Sequence, residues 1–328
     1  MSRIFSGIQP SGELHIGNYL GAVQNWVSLQ EGRDTTYFCV VDLHALTGHY
    51  EPADLRRRRH EMAVSLLAAG LDPARCTLFF QSAVPQHAEL AWIFNTVTPL
   101  GELERQTQYK DKSARQESVI TGLLTYPVLQ AADILLYHAA RVPVGEDQVQ
   151  HLELSREIAR RWNARFAADV PYFPEPQPLL TPVRRLMGLD GQAKMSKSIG
   201  NTIGLLETRE QIWEKLRPAM TDPARQRKTD PGNPDVCNIY SLHKAFSDAG
   251  TQATVADNCR GAKWGCLECK RVLAEGMEEV LVPIRRRAAE IGATPSYVTD
   301  VLEEGAKRAT TTAQETMRQV YERMGLTD

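Results

Sequence analysis

Two short segments hold residues suited to handling phosphate. The first is Pro10-Ser11-Gly12-Glu13-Leu14-His15-Ile16-Gly17-Asn18-Tyr19. It lies between an apolar, β-rich run and a helical pattern. A helix N-terminus leaves free N–H groups that favour an anion. Gly17 would let a flat base or a phosphate approach the backbone closely. His15 and Asn18 add side-chain donors. The second segment is Lys194-Met195-Ser196-Lys197-Ser198. Two lysines and two hydroxyls so close together can cradle phosphate oxygens. Taken alone, neither is specific: one could be an ordinary strand–helix turn, the other a solvated basic loop.

A third group is Cys237, Cys259, Cys266 and Cys269, spaced C-x21-C-x6-C-x2-C. The close pair offers two thiolates to one metal centre. Four thiolates suit tetrahedral Zn2+ or a [4Fe–4S] cluster. Arg260, Lys263, Lys270 and Arg271, with Trp264 among them, make the stretch basic and aromatic. Cations beside a ring that can stack on an unpaired base suit RNA. The run Arg56-Arg57-Arg58-Arg59-His60 falls on a helical pattern, points several ways, and reads as a solvated face. Cys39 and Cys76 stand in apolar contexts and are expected in the core.

The elements that must carry these groups alternate. Arg3 to Ile8, Thr36 to Val41 and Thr77 to Phe80 read as short buried strands. Helical patterns run from about Gly17 to Gln30, from Pro52 to Gly70 and from Gln86 to Thr96. Such alternation predicts an α/β fold with a parallel sheet, whose ligands bind beyond the carboxyl ends of the strands. Val170 to Val183 carries five prolines and reads as a connector. Beyond about Leu205 helices dominate: Thr208 to Arg217, Ile239 to Ala249, Cys269 to Ile291 and Pro295 to Met324. Pro283 predicts a kink or break in the third of these. Thr294 and Pro295 read as the start of the fourth.

Composition sets the outer limits. The chain has 328 residues, with 38 Lys+Arg against 40 Asp+Glu and a net charge of −2. Hydrophobic residues are 42% and charged residues 24%, near the globular average, which excludes a disordered or fibrous chain. No run approaches the ~18 apolar residues that span a bilayer. Met1 to Gly7 has no apolar signal region, so a cytoplasmic protein is expected. The balanced charge argues against a non-specific nucleic-acid glue, though not against a local basic face.

The two phosphate-handling segments, about 180 residues apart and in this order, are far more specific together. They resemble the HIGH and KMSKS signatures of class I aminoacyl-tRNA synthetases. The second matches letter for letter; in the first, Asn18 stands where the family pattern ends in His. The string Gly7-Ile8-Gln9-Pro10-Ser11-Gly12-Glu13-Leu14-His15-Ile16-Gly17-Asn18-Tyr19-Leu20-Gly21 is similar to that of the tryptophanyl-tRNA synthetases. So are Gly101-Glu102-Leu103, Lys110-Asp111-Lys112-Ser113 and Val142-Pro143-Val144-Gly145-Glu146-Asp147-Gln148.

The resemblance implies a Rossmann-like catalytic domain over 1–200 and a smaller all-helical tRNA-binding domain over 201–328. It implies activation of L-tryptophan with ATP and Mg2+, then transfer to tRNA(Trp), in a homodimer. Lys112, Lys194 and Lys197 would stabilise charge on the transferring phosphorus. Gln9, Pro10, Ser11, His15, Gly17, Asn18, Gly145, Glu146, Asp147, Leu186 and the loop Lys194–Ser198 would hold ATP. Phe5, His44, Tyr126, Gln130, Val142 and Val144 would wall the indole slot, with Asp133 accepting the indole N–H. A subset of the family carries [4Fe–4S] on four such cysteines. Tyr126, Gln130 and Asp133 also resemble the binding helix of tyrosyl-tRNA synthetases. The rival readings are therefore a tyrosine enzyme of this class and a non-charging paralogue that binds or senses an amino acid.

Overall fold

The computed structural model describes residues 2–114, 118–145, 148–180, 186–196 and 199–327. Five parallel strands form one sheet: β1 (Arg3–Ile8), β2 (Thr35–Val40), β3 (Thr77–Phe80), β4 (Arg141–Val144) and β5 (Gln177–Leu180). Their order is β3-β2-β1-β4-β5. Strand β2 shows why the sheet must be covered on both sides. Phe38 and Val40 face one apolar core, Tyr37 and Cys39 the other, and all four are buried.

The first three strands lie where the β-rich runs placed them, within a residue. Strand β5 corrects the reading of Val170 to Val183 as a mere connector. Pro178 and its neighbours form a short edge strand, the position where a missing N–H costs least. The predicted helices also form. Pro52–Ala68 begins on a proline, whose fixed φ suits the first helical position, and is followed by Gly70 at φ +117°. Cys266–Gly292 runs on through Pro283 as one helix, so the predicted break is absent.

Two cores sit on opposite faces of the sheet. One joins Trp26, Phe38 and Leu66 to Ile203, Leu242, Leu273 and Met277, so the C-terminal helices share apolar packing with the sheet. The other receives the end of the final helix, Pro295–Met324, through Ala309, Ala313 and Met317. That helix lies against edge strand β3. A Cβ on Gly305 would stand 1.9 Å from the Leu78 carbonyl oxygen, so only glycine permits this approach. Arg308 donates to the Pro73 and Cys76 carbonyls, and Thr316 Oγ1 to the Leu136 carbonyl. An otherwise open sheet edge is thereby covered.

Candidate active site

The sheet order reverses direction at β1. Its chain neighbours β2 and β3 lie on one side, β4 and β5 on the other. Such a switch point opens a crevice at the carboxyl ends of the two central strands. A cleft of about 360 Å³ lies there, a size suited to a small ligand. Phe5, Gln9, Val142, Val144 and Gly145 reach it from β1, β4 and the turns that follow them. Asn18 and His44 come from the helices after β1 and β2. Tyr126, Gln130 and Asp133 come from Thr121–Leu135, at helical spacing and on one face.

All seven residues expected to form the indole slot thus share one cleft. Three of the expected ATP contacts, Gln9, Asn18 and Gly145, line it as well. Gln9 and Asn18 are placed by the turn between β1 and its helix. Ser11 N–H donates to the Gln9 carbonyl at 2.8 Å. Asn18 N–H donates to His15 Nδ1 at 3.2 Å, and the Asn18 carboxamide accepts from the His15 N–H. This reciprocal cap starts the helix, which then widens into a π-helical stretch at Tyr19–Val23.

The two phosphate-handling segments are in contact. A Cβ on Gly17 would lie 3.0 Å from the His15 ring and 3.4 Å from Met195 Sδ. Ile16 N–H donates to the Ile203 carbonyl, and Leu205 N–H to that of Leu14. The residues after the lysine-rich loop are therefore stitched to the first motif by backbone. Lys194 is exposed and Met195 buried. Pro10, Ser11, His15, Gly17, Leu186, Lys194, Met195 and Ser196 do not line the cleft itself. Leu186 packs against the core containing Leu14 and Ile203. Glu146, Asp147, Lys197 and Ser198 lie outside the described residues. Lys112 is placed in the helix Thr107–Ser113.

Asp133 is the most constrained group of the cleft, at 1% exposure. That excludes a solvated surface carboxylate. His44 Nε2 bonds Oδ2 at 2.8 Å. Gln81 Nε2 donates to Oδ1 at 2.7 Å, and His87 Nδ1 bonds the same oxygen at 2.6 Å. An ionised carboxylate only accepts, so both histidines present an N–H to it. Burial pushes the Asp133 carboxyl up, but His44 and His87 outweigh it and hold it below the usual carboxylate range. With about four acceptor sites, three bonds leave Asp133 one for a ligand. His44, expected only as a wall, is thus a partner of the acceptor too.

Sequence reasoning missed the supporting groups. Gln81 follows β3 and His87 lies in Gln86–Asn95. His87 Nε2 is also hydrogen-bonded to the Tyr137 hydroxyl at 2.8 Å. Gln108 accepts from the Tyr126 hydroxyl at 3.0 Å, and His151 Nε2 lies 3.2 Å from the same oxygen. Burial pushes the Tyr126 phenol up to about 12, so it stays neutral at physiological pH. Only the identity of these residues as polar was legible; their burial was not.

In the helical part, Cys237, Cys259, Cys266 and Cys269 line one small cavity with Asp222, Arg225 and Trp264. Burial, then the other three thiols, push the Cys269 thiol up to about 12. Among the described residues, no three His, Cys, Asp or Glu side chains are set as ligands of a single ion. Lys270 corrects the reading of a basic RNA face. It is 4% exposed, and its ammonium donates to the Arg217 and Ala219 carbonyls. Arg271 sets its guanidinium over Trp213 of the same chain, 5.8 Å from the ring centre. Arg59 departs from the solvated-face reading: it turns inward to Asp42 at 2.8 Å, over the Phe80 ring.

No helix among the described residues is long and apolar enough to cross a membrane. The family model for class I tRNA synthetases (W and Y) matches residues 1–282. The chain is 54% identical to the tryptophan–tRNA ligase of Deinococcus radiodurans, over 99% of each chain. It is 43% identical to that of Thermotoga maritima, again over 99% of each. Tryptophanyl-tRNA synthetase from Campylobacter jejuni, solved with ADP and tryptophan, superposes with a TM-score of 0.89. That pair is 35% identical, over 98% of this chain and 99% of the other. An archaeal tyrosyl-tRNA synthetase from Archaeoglobus fulgidus, 23% identical with a TM-score of 0.67, shares the fold. This chain belongs to the class I tRNA synthetases, among the tryptophan–tRNA ligases.

Proposed function

We propose that the chain activates L-tryptophan with Mg·ATP and then charges tRNA(Trp). In the first step a tryptophan carboxylate oxygen attacks the α-phosphorus. The bond from that phosphorus to the bridging oxygen breaks, and pyrophosphate leaves. In the second step the acyl group passes from the adenylate to the terminal ribose hydroxyl of the tRNA, releasing AMP. No covalent enzyme intermediate is needed, so catalysis is positioning and stabilisation of charge. The observation that carries the reading is the single cleft between β1 and β4. It puts the buried Asp133 acceptor beside Gln9, Asn18 and Gly145.

Indole offers one donor and no acceptor, which matches one open site on a carboxylate. Lys112, Lys194 and Lys197 are assigned the phosphate charge. Pro10, Ser11, His15, Gly17, Glu146, Asp147, Leu186 and Ser198 are assigned ATP. A division at 1–200 and 201–328, a homodimer and a cytoplasmic location belong to the same proposal. The test is exchange of labelled pyrophosphate into ATP, with tryptophan and tyrosine in parallel. Exchange with tryptophan alone is expected. Exchange with tyrosine would make Gln130 the specificity residue, and no exchange would favour the non-charging reading.

The four cysteines are proposed to hold [4Fe–4S] as a structural group. A cubane places each thiolate on its own iron, whereas Zn2+ gathers all four on one ion. Four thiols that line one cavity support a shared centre held by all of them. The chemistry supplied would be cross-linking of the segments that carry Cys237, Cys259, Cys266 and Cys269. Purified without oxygen, the protein is expected to be brown, with about four iron atoms per chain. A colourless zinc protein would overturn this.

A further inference from the structure

The lysine-rich loop is gripped from two sides by asparagines that neither of the two motifs, as first read, contains. Residues 187–194 form a tight hairpin leading into it. Met187 and Lys194 pair as an antiparallel bridge, and Gly188 N–H donates to the Ala193 carbonyl at 2.7 Å. Asn201 sits inside the return path, at 6% exposure. Its Oδ1 accepts the Ser196 N–H at 2.7 Å. Its Nδ2 donates to the Lys194 carbonyl at 3.1 Å and to Asp190 Oδ2 at 3.0 Å. One carboxamide thus fixes the backbone on either side of Met195 and ties it to the hairpin tip.

The fit is close. A Cβ on Gly188 would stand 1.9 Å from Asn201 Nδ2, so glycine is required for the carboxamide to lie there. The outer grip comes from the helical part. Asn238, the first residue of the helix Asn238–Phe246, donates from Nδ2 to the Gly188 carbonyl at 2.7 Å. Met220 N–H donates to the neighbouring Leu189 carbonyl at 2.8 Å. Asn238 follows Cys237 directly. A single peptide unit therefore separates the cysteine-lined cavity from a side chain that holds the loop.

We propose that Asn201 and Asn238 are positioning residues for amino-acid activation. Asn201 sets the backbone curvature that aims Lys194, and Asn238 anchors the hairpin on which Asn201 acts. Neither carboxamide lines the tryptophan cleft. Their loss should therefore misplace the loop without altering the amino-acid pocket. The proposal rests on the activation reaction above, so wild-type exchange with tryptophan is measured first and tests that reading by itself.

The variants are Asn201→Ala and Asn238→Ala, compared with wild type after active-site titration. Asn238→Ala removes one bond at a helix start and keeps the test open if Asn201→Ala fails to fold. A misplacement of about 1 Å can cost ~100-fold in rate. On that scale, pyrophosphate exchange should fall about 10- to 100-fold for Asn201→Ala and about tenfold for Asn238→Ala. Tryptophan affinity, measured by equilibrium dialysis, should stay within about twofold of wild type. So should single-turnover transfer to tRNA from adenylate formed beforehand, because pyrophosphate has already left. A merely structural role would lower both steps together, or weaken tryptophan binding. Either result, or unchanged exchange in either folded variant, would overturn the proposal.

Discussion

Lys194→Ala is expected to slow tryptophan-dependent pyrophosphate exchange by about 10²- to 10³-fold, or ~3–4 kcal/mol of transition-state stabilisation. The non-bridging oxygens on the α-phosphorus and the departing pyrophosphate oxygen gain negative charge as the carboxylate adds and the bridging bond breaks. A cation aimed at that charge helps only where it binds the transition state better than bound ATP. The Lys194 backbone is bridged to Met187 and held through its carbonyl by Asn201. The side chain itself is exposed. Removing it should leave the fold and tryptophan affinity intact. Transfer from preformed adenylate should also stay within about twofold, because that step forms no pyrophosphate. The check is rapid quench of both steps. Equal losses in activation and transfer would remove Lys194 from the phosphate role.

Much of this arrangement is legible from residue order alone. The motifs carrying Asn18 and Lys194 bear their chemistry locally, as glycine, hydroxyl and lysine in short turns. Strands β1 to β3 announce themselves because each is apolar on both faces, edge strand β3 included, since the final helix covers its edge. Strands β4 and β5 do not. Each has four residues, and each contains a proline, Pro143 or Pro178. Neither length nor periodicity marks them; their neighbours in the sheet define them. The supports of Asp133 fail to show for a related reason. Gln81 and His87 lie 52 and 46 residues before Asp133 and meet it only when three helical elements pack on the sheet. Lys270 shows the converse error. A lysine in a basic run looks solvent-facing until two carbonyls at the end of another helix turn out to need its protons. Backbone accounting, not charge counting, decides such a residue.

Asp133→Asn should weaken tryptophan use by about 1–3 kcal/mol, roughly 5- to 150-fold in kcat/KM for exchange. The carboxylate accepts from His44, Gln81 and His87 at once, and its remaining acceptor site is the one proposed for the indole N–H. An amide has one accepting oxygen, and its NH2 must face at least one of those donors. The indole N–H then competes for a poorer, neutral acceptor. An analogue with sulphur in place of that N–H, 3-benzothienylalanine, isolates the contact. Wild type should discriminate strongly against it, since the site then leaves a buried acceptor unpaired. The variant should discriminate less. Stability provides an independent arm. The Asp133 carboxyl is depressed in the fold, so its contribution is present above its unfolded value near pH 4 and is lost as pH falls through the folded value. The stability gap between wild type and variant, from urea unfolding, should therefore be full at pH 7 and shrink only in strong acid. Loss of stability with unaltered discrimination would mean that Asp133 braces the two histidines and never meets the substrate. Loss of both places the same carboxylate at the junction of fold and specificity.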